Sequence, residues 1–600
     1  MSVEKIQSTI TGAENIRWDL SDLYSGPDDP TIESHIEDSR KLSIVFSDRY
    51  KNRVIKLSDS ELKTAYEELI TIFNQMIEAS QYANLLLSTS TNDDQAKGLQ
   101  SKLDVAFSEI SNNLVFFDLE LGKLPNDKLQ EFQSSIDLEK YLYIISRTCD
   151  LARYQLSEGE EKAITLKNIT GKSAFKNLYG EVSSAFIYEF AINGEIKQYS
   201  GDELRALRYH PDTDVRKRAM ETYFKKYEDN KIVFTSVFNS IIKDFNISKN
   251  QRGYTSSINV RNTENDLDDS VINTLIDVTT ESYSLVQRYY KLKKKLLGLD
   301  ELTLADIYAP LPEADKQFSW DEAKALVLDA FGSFDSDFYE KAKLMFDKNR
   351  IDAPAVKNKR GGAFCSSSTP KRNPFVLLNF TGKVRDVSTL AHELGHAIHS
   401  MYSKKQHIFT AHPILPLAET ASVFSEMILT DLLLNTYDDD SLKISLLSTK
   451  LEDIFSTSHR QNMFTRFEVR AHDRIDKSLL SSTDMCTIYN EELKLMFGDS
   501  VTYTDEYQWE WSCIPHMIRV PFYVYSYNFA NLLVLSLYQQ YLEEKSAFIP
   551  KFKEFLSMGS SAKPTDIINL VDQDIHDPQF WQKSIVYIES MIDRLESLIG

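Results

Sequence analysis

The sequence predicts a mainly α-helical, two-lobed protein carrying one small β-hairpin or sheet. Only 19 Gly and 16 Pro punctuate 600 residues, too few turn formers for a many-stranded sheet protein. Apolar residues recur at spacings of three and four along Leu-, Lys-, Glu- and Ala-rich runs, the period of amphipathic helices. A chain of 600 residues also exceeds what one small core takes, so it divides. We expect a helical N-terminal lobe over 1–200 and a larger region over 201–600, the change falling where Gly, Ser and Pro cluster in 192–215.

Taken in chain order, MSVEKIQSTITGAENIRWDL has no basic region followed by an apolar run, which predicts no secretory leader. Leu62, Tyr66, Leu69, Phe73, Met76 and Ile77 share one side of a helix over 62–87. The run 268–299 opens on acids and closes on lysines, the polarity that complements a helix dipole. Between Lys359 and Asp386, glycines, a Pro-containing turn and the apolar run Phe375 to Phe380 read as a hairpin or small sheet. Phe522 to Tyr538 is 17 residues long and interrupted by Ser526, Asn528 and Asn531. That is short and polar for a bilayer span, and predicts a buried core helix instead.

Composition narrows the function. A formal charge of −21 repels phosphate backbones and anionic lipid heads, so neither nucleic acid nor membrane is an expected partner. Four scattered cysteines, Cys149, Cys365, Cys486 and Cys513, form no CxxC pair; they suit a reducing compartment, and a cytoplasmic location is expected.

The chemistry concentrates in LAHELGHAIHS, Leu390 to Ser400. His392 and His396 lie about 40° apart around a helix and one turn along it, so both imidazoles project from one face as two ligands of a tetrahedral zinc require. Leu390, Leu394 and Ala397 point the opposite way, giving the helix a core-facing side. Glu393 stands beside the metal rather than on it, where a general base for an attacking water belongs. By chance the five-residue pattern would occur on the order of 0.014 times in a chain of this composition. His399 shares the ligand face, but three imidazoles along one helix span about 10 Å, too far for one ion at about 2.1 Å; it is expected to support the ligands. The continuation His-x-x-Gly-x-x-His is absent, because Tyr402 stands six residues after His396. The third ligand is instead expected from Pro416 to Leu434, where Glu419 and Glu426 sit seven apart among apolar neighbours. We assign Glu419 to the metal and Glu426 to the support of a ligand.

AHELGHAIHS, then LAETASVFSE, then IPHMIRVPFYVYSY together resemble the oligoendopeptidase F branch of the M3, thimet oligopeptidase-like, zinc metallopeptidases. The likeness is strongest from about Gly361 to Tyr527. It implies one zinc per chain held by His392, His396 and Glu419, with water activated by Glu393. It implies too that His516 and a tyrosine, Tyr523 or Tyr527, face the scissile carbonyl, although Pro521 interrupts a continuous helix there. Gly361, Gly362 and Ala363, beside an extended run, become candidates for contact with substrate main chain. The resemblance implies a helical fold with a deep substrate channel and an endopeptidase of short peptides. A carboxypeptidase or dipeptidyl carboxypeptidase on the same zinc core, and an inactive peptide-binding protein, remain alternatives.

Overall fold

The computed structural model describes residues 10–311 and 316–600; residues 1–9, on which part of the leader reading rests, lie outside them. Among the described residues helix dominates, at 71% against 4% strand. The chain forms two compact units, each assembled from three stretches: Met1–Arg153, Asp315–Thr436 and Gln540–Asp574 in the first, Tyr154–Ala314, Tyr437–Gln539 and Ile575–Gly600 in the second. Contacts thus divide the chain first at 153/154 and interleave its segments, whereas the sequence-based division is a single cut at 200/201.

In the first unit, the helices Pro30–Tyr50, Asp59–Thr89 and Asp94–Leu114 pack on one another. Each start is capped. Asp29 and Asp93 accept backbone amides of the first turn, and Ser58 with Glu61 forms a reciprocal capping box. The predicted face of the second helix is buried through Leu62, Tyr66, Leu69 and Met76.

The expected hairpin or small sheet is present as a three-stranded sheet, one strand of which lies before Lys359. Numbering strands along the chain, β1 (Tyr188–Ile192) and β2 (Glu195–Tyr199) make an unanticipated hairpin in the second unit. In the first unit β3 (Ile351–Pro354), β4 (Phe364–Ser366) and β5 (Phe375–Phe380) run in the order β3-β5-β4. β3 is parallel to β5 and β4 antiparallel to it, which leaves β4 at the edge. A buried ion pair of Lys359 with Asp352, 2.6 Å, fixes the loop between β3 and β4, and the same ammonium donates to the carbonyls of Pro354 and Leu378. β5 hands the chain to the helix Val384–Tyr402 through a turn in which Asp386 accepts from the Thr381 and Lys383 amides.

In the second unit the stretch 268–299 is two helices, Asp269–Glu281 and Tyr283–Leu296, parted at Ser282. The run Phe522 to Tyr538 lies mostly in the helix Tyr525–Glu544, with Phe529 and Leu532 to Leu535 fully buried. Among the described residues no helix is long and apolar enough to cross a membrane.

Candidate metal centre

The helix Val384–Tyr402 buries Leu390, Leu394 and Ala397 on the core side and turns His392 and His396 the other way. The two rings stand 4.8 Å apart and nearly perpendicular. Opposite them the chain does not run as one helix through Glu419. A four-residue helix, Leu415–Ala418, ends there and a second, Thr420–Thr436, begins. At this junction the Glu419 Oε2 atom lies 3.4 Å from His392 Nε2 and 3.3 Å from His396 Nε2.

What lets the two helices approach so closely is Gly395, the small residue inside the motif. A Cβ there would lie 2.5 Å from the Ala421 carbonyl oxygen and 2.6 Å from Ser422 Cα, distances that no side chain tolerates. Sequence reasoning passed over this glycine because its reason is the partner helix rather than the helical period.

Two imidazole nitrogens and one carboxylate oxygen, all within 4.8 Å of one another, could hold a metal ion and match in kind the donors of catalytic zinc sites, which take three protein ligands and leave a position for solvent or substrate. The surroundings fit that role. His392 Nδ1 donates to Glu426 Oε1 at 2.5 Å, which directs its Nε2 lone pair toward Glu419 and His396. Ser422 Oγ donates to Glu419 Oε2 at 2.8 Å.

Electrostatics separate the two carboxylates. Burial raises the Glu419 pKa, but the hydrogen bond and charge of His396, with His392 and Ser422, outweigh it and hold the group down to about 2. At Glu393, only 6% exposed, burial dominates over the two histidines and the pKa is raised. One acid therefore stays anionic, as a ligand must, while the other gains basicity, as a proton acceptor must. Burial lowers the His392 pKa, yet Glu426, Glu419 and Glu393 together push it up to about 9. This records how strongly the pocket favours positive charge at that position.

A cavity of about 430 Å³ lies over the group, lined by His392, Glu393, His396 and Glu419. His399 lines it too, nearly buried; burial keeps it neutral, with a pKa down to about 3. It is not one of the three converging groups. Ala363, Phe364 and Cys365 bring the edge strand β4 to the wall of the cavity. Gly361 and Gly362 precede that strand and are not among its lining residues. Gly362 takes a left-handed φ of +79° while nothing in the surroundings requires glycine at 361. Asn379 Nδ2 donates to the Gly362 carbonyl at 2.7 Å, tying this loop to β5. His412 also lines the cavity, its Nε2 donating to the Ser368 carbonyl. Sequence reasoning did not single it out; its position in the loop before Glu419 was the available signal.

His516, Tyr523 and Tyr527 lie in the second unit and form a cluster of their own. Pro521 does end helical continuity: a short helix, Pro515–Arg519, stops before it and the next starts at Tyr525. The turn nonetheless gathers the rings, with His516 stacked on Tyr523 at 5.7 Å and Tyr523 edge-on to Tyr527 at 5.1 Å. Tyr525 is fully buried and accepts from Asn265 Nδ2.

Comparison with known proteins supplies the family context. Residues 206–587 match the model described as peptidase family M3, and residues 120–187 that described as oligopeptidase F. The chain is 26% identical over 590 residues to the oligopeptidase PepF of Bacillus subtilis, covering 97% of this chain and 87% of that protein. It is 28% identical over 576 residues to an oligoendopeptidase F homolog of Borreliella burgdorferi, covering 94% of each. Among solved structures, one from Chlamydophila abortus shares the fold with a TM-score of 0.90 at 23% identity, covering 99% of this chain and 100% of that one. Oligoendopeptidase-F from Enterococcus faecium does so at 0.70 and 24%, covering 95% and 99%.

Proposed function

The chain belongs to peptidase family M3 and is a metalloendopeptidase, and from that premise we propose that it hydrolyses internal bonds of short peptides with one zinc ion held by His392, His396 and Glu419. The observation that carries this reading is the convergence of those three donors beside a buried, basicity-tuned Glu393 in one cavity. Zinc bound there would acidify water and polarise the scissile carbonyl. Glu393 accepts the proton of the attacking water and delivers it to the leaving amine nitrogen, a role its raised pKa supports. Glu426, through His392 Nδ1, fixes the tautomer and direction of that ligand. His516 with Tyr523 or Tyr527 donates to the oxyanion that develops on the carbonyl.

Substrate main chain pairs with the outer edge of β4, a reading supported by the edge position of that strand and by Ala363, Phe364 and Cys365 at the cavity wall. Backbone pairing fixes a peptide without demanding a sequence. Gly361 and Gly362 give the approaching chain room. The working compartment is the cytoplasm, in keeping with four cysteines that are all free.

The test is digestion of unrelated short peptides, free and C-terminally amidated, with fragments read by mass. Internal cuts that persist on amidated peptides and vanish with a chelator are expected. Loss of cleavage on amidation would turn the reading to a carboxypeptidase. Glu393→Gln should lower kcat by about 10²–10⁴ with zinc still bound; wild-type turnover in that variant would remove the assigned base.

A further inference from the structure

The turn between His516 and Tyr527 is built around an unusual residue. Phe522 has a φ of +59°, a left-handed conformation that a bulky side chain adopts only where its surroundings hold it. Its ring is fully buried, packed on His472 at 4.5 Å and Phe245 at 6.0 Å between centroids. Its amide donates to Glu468 Oε1 at 2.9 Å, and the preceding Pro521 carbonyl lies 3.5 Å from Arg261 Nη2. Each side of the Pro521–Phe522 peptide junction is thus gripped by a charged-type side chain from another helix, His459–Lys477 for Glu468 and Ser257–Glu264 for Arg261. All of these groups belong to the second unit.

Glu468 is an expensive way to satisfy one amide. It is 1% exposed, and its second oxygen, Oε2, has no hydrogen-bond partner among the described residues. An acid in such a place is retained for what it holds. Burial pushes its pKa up to about 8, against smaller lowering by the Phe522 amide and Arg261, so at neutral pH the carboxyl is largely protonated and presents Oε1 as a neutral acceptor.

We propose that Glu468, assisted by Arg261, is a positioning residue for catalysis: it locks the left-handed turn at Phe522 and thereby sets His516, Tyr523 and Tyr527 as one cluster. The proposal rests on the assignment of that cluster to the reacting carbonyl. Within the turn, the Tyr523 amide donates to the Val520 carbonyl and the Val520 amide to that of His516. Rotation at Phe522 therefore moves Tyr523 relative to His516. Releasing the Phe522 amide lets this happen; replacing the acid by an amide that keeps an acceptor does not.

The experiment compares Glu468→Leu, Glu468→Gln and His516→Ala in zinc-loaded enzyme. Glu468→Leu is expected to lose about 10²-fold in kcat, the usual effect of displacing a catalytic group by an ångström, with KM within about threefold and zinc content unchanged. Glu468→Gln is expected to restore most of that loss. In a His516→Ala background, Glu468→Leu should cost far less than it does alone, because it acts through the same cluster. Equal losses in Glu468→Gln and Glu468→Leu, or full additivity with His516→Ala, would overturn the proposal. If His516→Ala itself keeps wild-type kcat, the assignment of the cluster fails; if it loses activity while Glu468→Leu does not, only the positioning role fails. Should Glu468→Leu not fold, Arg261→Leu removes the other grip and is judged by the same kcat, KM and additivity criteria.

Discussion

Gly395→Ala adds one methyl group to the motif, and the structure gives its consequence in ångströms. The new Cβ would stand 2.5 Å from the Ala421 carbonyl oxygen, 2.6 Å from Ser422 Cα and 2.8 Å from Ser425 Oγ. The first two are backbone and cannot swing aside. Restoring ordinary contact at about 3.5 Å requires the helices Val384–Tyr402 and Thr420–Thr436 to part by about 1 Å. Glu419 sits one residue before the second helix, so its carboxylate moves away from His392 and His396, whereas metal–ligand distances tolerate about 0.2 Å. Overpacking should cost about 1–3 kcal/mol of stability. Zinc affinity should fall by at least the about 10–100-fold typical of disturbed ligand support, which reduces the stabilisation by saturating zinc by about 1.4–2.7 kcal/mol. Competition against a chromogenic chelator measures the affinity, and thermal melts with and without zinc measure the linkage. A Gly395→Ala protein with wild-type zinc affinity and an undiminished zinc-dependent rise in Tm would refute the argument that this glycine sets the ligand geometry.

Glu426→Ala should release His392 Nδ1 and weaken zinc binding by about 10–100-fold, while enzyme held in saturating zinc keeps a kcat far closer to wild type than Glu393→Gln does; chelator titration and turnover measured on the same preparations check this. Acid should destabilise the second unit through two buried histidines, His459 and His472, whose pKa values burial pulls down to about 3. Below pH 6.5 the unfolded chain binds protons that the folded one refuses, so stability falls as pH is lowered toward 3, by about 1.4 kcal/mol per pH unit for each histidine. His459→Gln should therefore flatten the dependence of Tm on pH between 7 and 5, and parallel curves for the two proteins would contradict this.

The helix that carries the histidines was legible because its information is local. Residues four apart share a face whatever the rest of the chain does, so His392, His396 and the lateral Glu393 followed from spacing, as did the core-facing Leu390, Leu394 and Ala397. Glu419 and Glu426 followed from acids stranded among apolar neighbours. What spacing could not give was set by approach between distant segments: the helix break at Glu419, the space demanded at Gly395, the third strand β3, and His412 at the cavity wall. The same holds for the turn at Phe522. The resemblance put Tyr523 or Tyr527 together with His516; the rings do meet, but across a left-handed residue gripped by Glu468, which no local pattern announces. The interleaving of the two units is the extreme case, since their three-part composition depends on contacts hundreds of residues apart.

That interleaving has a consequence for how the enzyme comes into being. The helix behind Glu419 rests on Phe424, whose ring packs against Phe548 and Phe552, and those residues come from the last stretch to join the first unit, Gln540–Asp574. A ribosome extends a chain by about 5–20 residues per second, so His392, His396 and Glu419 are synthesised several seconds before the aromatic wall that backs them. During that interval the unit lacks part of its core. Completion of the first unit around His392, His396 and Glu419 is therefore expected only when nearly the whole chain has been made.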